Sequence, residues 1–124
     1  MRTWAVILTI ALILASLSVA EAIIINRFCS AIELTLMQTR DRIQNETVSR
    51  GDIDIVSKIW ENNKNIVLSF SNHHAFDDYE DAIFQMYYFQ DGNFKEELYH
   101  ACMKLLDVNK RLKETTHFGM GNLF

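Results

Sequence analysis

The chain has 124 residues and a mass of 14.4 kDa, and it is 49% apolar and 11% aromatic with no proline. This length accommodates one ordinary domain, and the composition is too apolar for a disordered chain. The net charge of −4, from 12 basic and 16 acidic residues, argues against a protein that binds nucleic acid through a basic surface.

The N-terminal segment has the strongest signal in the sequence. Residues 4–20 carry no charge and are rich in Ile, Leu, Val and Ala, and the apolar character resumes after Glu21 and continues to Ile25. A stretch of this length can cross a bilayer as a helix. A cleaved signal peptide is the alternative, because residues 18–20 (Ser-Val-Ala) have the small side chains of a cleavage site. We favour an uncleaved signal-anchor, because apolar residues continue directly beyond that site.

The distribution of positive charge says little about orientation. Arg2 precedes the span, whereas Arg27 follows it closely. Arg40 and Arg42 lie at the limit of the distance from a span over which positive charges influence its orientation. Both interpretations of the segment make it an export signal. We therefore expect a single-pass protein of the cell membrane whose C-terminal domain lies outside the cytoplasm.

Beyond the span, apolar residues recur at spacings of three, four and seven, the pattern of amphipathic helices. Turn-forming residues near Gly51, His73 and Gly92 divide this pattern into four helices. The predicted core positions are Ile25, Phe28, Cys29, Ile32, Leu36 and Ile43; Ile53, Val56, Trp60, Val67 and Phe70; Phe76, Tyr79, Ile83, Met86 and Tyr87; and Phe94, Leu98, Ala101, Cys102, Leu105, Val108 and Leu112. Short connections favour antiparallel neighbours. We predict an all-α fold in which a long N-terminal membrane helix continues into an antiparallel four-helix bundle.

This pattern divides the chain into three parts. Residues 1–25 form the membrane anchor or signal peptide, residues 26–114 the helical bundle domain, and residues 115–124 an irregular C-terminal tail that holds two glycines. Two capping boxes are expected at helix starts, one from Ser49 and Asp52 and one from Asn93 and Glu96.

A series of short motifs suggests a relationship. In chain order the motifs are Trp60-x-x-x-Lys64, Leu68-x-Phe70, His73, Phe76-Asp77-Asp78-x-Glu80 and Gly121-Asn122-Leu123-Phe124. Together they resemble a family of small bacterial membrane-anchored proteins that is classed as a domain of unknown function. The resemblance covers most of the chain. It implies an N-terminal membrane anchor followed by an outer helical domain, and it implies no reaction and no catalytic residues.

One cluster of side chains could bind a metal ion. His73 and Asp77 are four residues apart, as are His74 and Asp78, so each pair can converge on a helix surface. Two histidines and a carboxylate are suitable ligands for zinc or another transition metal. The alternative is a helix start that acidic residues stabilise through the helix dipole, and we favour this second interpretation.

The two cysteines, Cys29 and Cys102, allow two interpretations. Outside the cytoplasm they could form a disulfide, provided that the first and fourth helices place them at matching heights. Since each lies on an apolar stripe, two buried free thiols are the alternative, and we favour it.

Two groups of residues are candidates for contact with a partner or a membrane. Phe84 and Tyr88 belong to an aromatic group too dense for one helix face to bury, and exposed apolar surface of this kind marks contact sites. At the end of the fourth helix, basic residues precede apolar tail residues, a combination that suits anionic headgroups or a neighbouring membrane protein. The residues of this second group are Lys110, Arg111, Lys113, Phe118 and Phe124.

The predicted function is a membrane-tethered helical module of the bacterial envelope with an interaction or structural role. An extracytoplasmic domain that binds a small ligand or a metal is the alternative. We do not predict an enzyme, because the sequence contains no nucleophile–base pair, phosphate-binding loop or strong metal motif. The expected partners are membrane lipid and an integral membrane protein, without nucleic acid and without a cofactor.

Overall fold

The computed structural model of the chain describes the backbone of residues 2–70 and 73–123 and the side chains of residues 2–69 and 73–115. In these residues there are four helices and no strands. The helices are α1 (Arg2–Gln44), α2 (Arg50–Phe70), α3 (His73–Asp91) and α4 (Lys95–Leu123). Helix α1 packs on α2 and α4, and α3 packs on the same two helices from the opposite side. The predicted all-α four-helix bundle is confirmed.

Helices α1 and α3 end in the same way. The N–H of Thr47 donates to the carbonyl of Arg42, and the N–H of Phe94 donates to that of Phe89. The residue before each donor, Glu46 or Asn93, has left-handed backbone with φ of 61° or 59°. This is the Schellman arrangement, which satisfies carbonyls at a helix end. Because Asn93 terminates α3, the predicted capping box from Asn93 and Glu96 is wrong.

The start of α2 contains one half of the predicted capping box, because the Asp52 side chain caps Ser49 but the Ser49 hydroxyl does not accept the Asp52 N–H. The carboxylate of Asp52 accepts the N–H of Ser49 at 2.9 Å, and the Asp52 N–H bonds back to the Ser49 carbonyl. The same carboxylate accepts a bond from Arg42 at 2.6 Å, so the end of α1 is tied to the start of α2.

The core of the bundle is formed by the stripes that the spacing predicts. It includes Trp60, Tyr79, Leu36, Met86 and Leu105, all almost fully buried. Phe94 was expected in the core but is 49% exposed, because it lies in the turn before α4 rather than on the inner face of that helix. The predicted position of Phe70 concerns a side chain outside the described residues.

Two predicted boundaries differ from the structure. The bundle covers α1 from Ala22 onward, since Ala22 and Ile25 are buried, so packing begins before residue 26. The prediction of an irregular tail at 115–124 is wrong for residues 115–123, because α4 continues to Leu123. No proline interrupts this stretch, and a glycine in a helix costs only about 1 kcal/mol. The prediction for Phe124 concerns a residue outside the described part of the chain.

Candidate functional site

The first part of α1 is exposed and apolar along its whole length. Every described side chain from Arg2 to Leu17 is exposed, including Trp4 at 71% and Leu12 at 68%. Only 6% of the most apolar 18-residue stretch of this helix is buried within the protein. Among the described residues, this is the one helix long and apolar enough to cross a membrane, a property that signal sequences share. The same helix then continues without a break into the bundle core.

An aromatic cluster fills the bundle where α1 enters it. Trp60 stacks on Tyr79 with ring centroids 4.6 Å apart and an angle of 8° between the rings. Phe28 and Phe76 contact Trp60 at 6.0 and 5.3 Å between centroids. The indole N–H of Trp60 donates to the carboxylate of Glu80 at 3.0 Å. The cluster thereby joins α1, α2 and α3 beside the exposed segment.

Three helices also meet in a buried chain of hydrogen bonds. The hydroxyl of Tyr79 donates to the side-chain oxygen of Asn109 at 2.6 Å, and the Asn109 amide donates to the backbone carbonyl of Cys29 at 2.8 Å. Burial strongly raises the pKa of Tyr79, and the neighbouring Cys29 thiol raises it further, so the hydroxyl keeps its proton. Among the described side chains, no buried polar atom lacks a partner. The arrangement fixes the register of α1, α3 and α4.

The favoured interpretation of the cysteines is confirmed, since both are buried free thiols, and the alternative disulfide is not formed. Asn109 bonds the carbonyl of Cys29, whereas the Cys102 thiol bonds the carbonyl of Leu36. Cys102 therefore lies at the height of Leu36, about 10 Å along α1 from Cys29 at 1.5 Å per residue. A disulfide requires Cα atoms within about 7 Å of each other. The heights of the helices therefore keep the two thiols apart.

We expect both thiols to be unreactive in the folded protein. Burial raises the pKa of Cys29 to about 11 and that of Cys102 to about 12, so at pH 8 neither forms the nucleophilic thiolate. Titration with Ellman's reagent at pH 8 should therefore give almost no signal before urea is added and two thiols per chain afterwards. Rapid reaction of either thiol in the native protein would contradict the packing.

The same shifts predict a dependence of stability on pH. Unfolding returns each thiol to its ordinary pKa of 9.0, so the unfolded chain loses these protons at lower pH than the folded chain does. The free energy of unfolding should be unaffected by the thiols well below pH 9 and should fall as pH rises from 9 through about 11 for Cys29 and about 12 for Cys102. Denaturation with urea at several pH values measures this, and a Cys29→Ala/Cys102→Ala variant should lose the part of the decline that the thiols cause.

The predicted metal ligands are not assembled into a site. His73, His74 and Asp77 are exposed and Asp78 is half-buried at the start of α3. Among the described residues, no three His, Cys, Asp or Glu side chains lie close enough together to hold a metal ion. The favoured alternative, a helix start that acidic residues stabilise through the helix dipole, is not supported either, because the first turn of α3 contains no acidic residue and the dipole effect falls off within that turn.

The aromatic contact candidates lie on the surface, as predicted. Phe84 is 71% exposed and Tyr88 is 61% exposed, one helical turn apart on α3. Tyr88 contacts the ring of Phe89 edge-on at 5.6 Å, and Phe89 contacts Phe94 at 6.5 Å. The exposed rings thus continue into an aromatic group at the turn between α3 and α4.

The basic candidates at the end of α4 are largely neutralised by neighbours. Arg111 forms an ion pair with Asp107, and Lys113 lies 3.5 Å from Glu33 of α1. Lys110 is exposed. The side chains of Phe118 and Phe124 lie outside the described residues. Of the predicted basic, apolar surface, the described side chains therefore include Lys110, which forms no ion pair among them, and the paired cations Arg111 and Lys113.

An open groove of about 800 Å³ lies between α1 and α4. Its apolar lining includes Met37, Met103 and Leu106, and paired charges such as Glu33 and Lys113 form its rim. Sequence periodicity could not predict this groove, because the relative height of α1 and α4 decides which side chains line it. Comparison with known proteins finds no matching family model, no similar curated protein and no similar solved structure.

Proposed function

We propose that the chain is a membrane-tethered helical interaction module, held by α1 in the cell membrane with its bundle outside the cytoplasm. The observation that supports this is the two-part character of α1. Its first turns are apolar and exposed, while the same helix beyond Ala22 is covered by the bundle. A water-soluble helix with such an exposed surface would aggregate, whereas a bilayer covers it.

The continuity of α1 also favours retention of the anchor. Cleavage after residue 20 would make Glu21 the new N-terminus, one residue before the buried Ala22 and four before the buried Ile25. An anchor that continues directly into the core holds the bundle at a fixed distance from the bilayer. The resemblance to small bacterial membrane-anchored proteins stays a prediction and agrees with this proposal.

Membrane extraction tests the proposal. The full chain should stay in the membrane pellet after washing with alkaline carbonate, as integral proteins do. A Leu12→Arg/Ile13→Arg variant should move to the soluble or aggregated fraction, since each arginine at the centre of a span costs about 2.5–3.5 kcal/mol.

Leu34→Arg is the matched control, because Leu34 is also an exposed leucine of α1 (61% exposed) but lies within the bundle region. This variant should remain in the pellet. Release of the unaltered chain by carbonate, or equal behaviour of the two arginine variants, would contradict the anchor.

A further inference from the structure

We propose that the outward face of α3 binds a basic amphipathic helix of a partner protein, with Phe84 and Tyr88 as its apolar anchors. This inference rests on the proposed function, because the anchor decides how far the face stands from the bilayer. Phe84, at 71% exposure, is as exposed as Trp4 in the anchor, although it lies in the bundle. Exposed aromatic residues of this kind are enriched where proteins bind each other.

The charge of the face indicates the chemistry of the partner. Asp77, Asp81, Phe84 and Tyr88 follow each other at spacings of four, three and four, so they share one stripe of α3. Helix α3 contains five acidic residues and no lysine or arginine. Arg50 neutralises Asp91 in a 2.6 Å ion pair. Within the described part of the chain, Asp77 and Asp81 form no ion pair, and they are free to pair with lysine or arginine of a partner.

The height of the face excludes the bilayer as its partner. The hydrogen bonds through Asn109 place Tyr79 level with Cys29, eight residues beyond Glu21 in α1. At 1.5 Å per residue, Phe84 then lies about 20 Å and Tyr88 about 26 Å beyond Glu21. The headgroup layer adds only about 5–8 Å to the hydrocarbon core on each side. The partner is therefore a protein segment that reaches well outside the membrane.

The same arrangement disfavours a second copy of this chain. Two copies in one bilayer share one orientation, so a two-fold axis between them lies along the membrane normal. Residues of equal height then meet across the contact, and Asp81 would face Asp81. Like charges placed opposite each other disfavour such a contact, whereas a basic helix pairs with them.

A defined peptide tests the proposal. The full chain is placed in nanodiscs of zwitterionic phosphatidylcholine, whose zero net charge removes the electrostatic attraction between a basic peptide and the lipid. The probes are a labelled 18-residue amphipathic peptide of leucine and lysine and a matched peptide of leucine and glutamate, with fluorescence anisotropy as the measurement and empty nanodiscs as the blank. We expect the lysine peptide to bind, the glutamate peptide not to bind, and 0.5 M salt to weaken binding at least fivefold.

Variants assign the binding to α3. Phe84→Ser/Tyr88→Ser should weaken binding of the lysine peptide at least tenfold, and Asp77→Asn/Asp81→Asn at least threefold with a smaller effect of salt. Leu34→Ser and Asp41→Asn/Glu114→Gln remove exposed apolar and acidic groups on other faces and should change binding less than twofold. Unchanged helicity by circular dichroism shows that each variant is folded.

Several results would overturn the proposal. These are absence of binding, equal binding of the glutamate peptide, insensitivity to Phe84→Ser/Tyr88→Ser, and a dimer in the nanodisc that this same variant dissociates. Carbonate extraction of the cell membranes from which each variant is purified reports the anchor separately. Loss of peptide binding with the chain still anchored therefore overturns this inference alone, whereas release of the chain overturns the proposed function.

Discussion

Replacing Trp60 with alanine is expected to lower the free energy of unfolding by about 3–5 kcal/mol, the range for truncating a large buried aromatic residue. Trp60 is 1% exposed and stacks on Tyr79 at 4.6 Å. The variant also removes the indole N–H that Glu80 accepts, and it leaves a cavity between α1, α2 and α3. Because three helices line this cavity, collapse of one helix cannot fill it.

The measurement is urea denaturation of the full chain in mild detergent, followed by circular dichroism at 222 nm. Phe84→Ala is the control, since it removes an aromatic ring from the exposed side of the bundle and should change stability by less than about 0.5 kcal/mol. A loss below about 1 kcal/mol for Trp60→Ala would contradict the core position of the indole.

Replacing Asn109 with leucine is expected to lower the free energy of unfolding by about 1–3 kcal/mol, although leucine is apolar and of similar size. The reason is the Tyr79 hydroxyl, which donates to Asn109 and is buried with it. In the variant, the buried Tyr79 hydroxyl has neither a water molecule nor Asn109 to accept its hydrogen bond. The Cys29 carbonyl loses a second donor but still belongs to the helical hydrogen-bond ladder of α1.

A double-mutant cycle separates this effect from simple packing. Adding Tyr79→Phe to Asn109→Leu removes the buried hydroxyl that has no acceptor. The double variant should therefore be more stable than Asn109→Leu alone by about 1 kcal/mol. If Tyr79→Phe destabilises the two backgrounds equally, the two side chains are not coupled, and the hydrogen bond contributes nothing to stability.

The periodicity of apolar residues was sufficient to predict the helices and most of the core. Trp60 lies on a stripe with Val56 and Val67, and all three are buried. The position of Asn109 could also have been found, because it follows Cys102 by seven residues and Leu105 by four. A polar residue at such a position is buried when a partner on another helix satisfies it.

Features that depend on relative helix height were not predictable. The two cysteines occupy inward stripes, but the structure places Cys102 beside Leu36 rather than beside Cys29. Predicting the groove between α1 and α4 likewise requires the relative height of these two helices. Residue preferences at helix ends also failed to predict the structure in two places. Glu46 adopts a left-handed backbone conformation that glutamate does not favour, and Gly119 and Gly121 do not end α4.

The intact mass of the protein recovered from the membrane fraction tests the central claim most directly. An anchor that continues as one helix into the bundle predicts the uncleaved chain of 14.4 kDa, apart from processing at Met1, in the membrane pellet. A mature form that begins at Glu21 or Ile23 and is recovered in the soluble fraction would contradict it, because the bundle would then be a secreted domain without a tether.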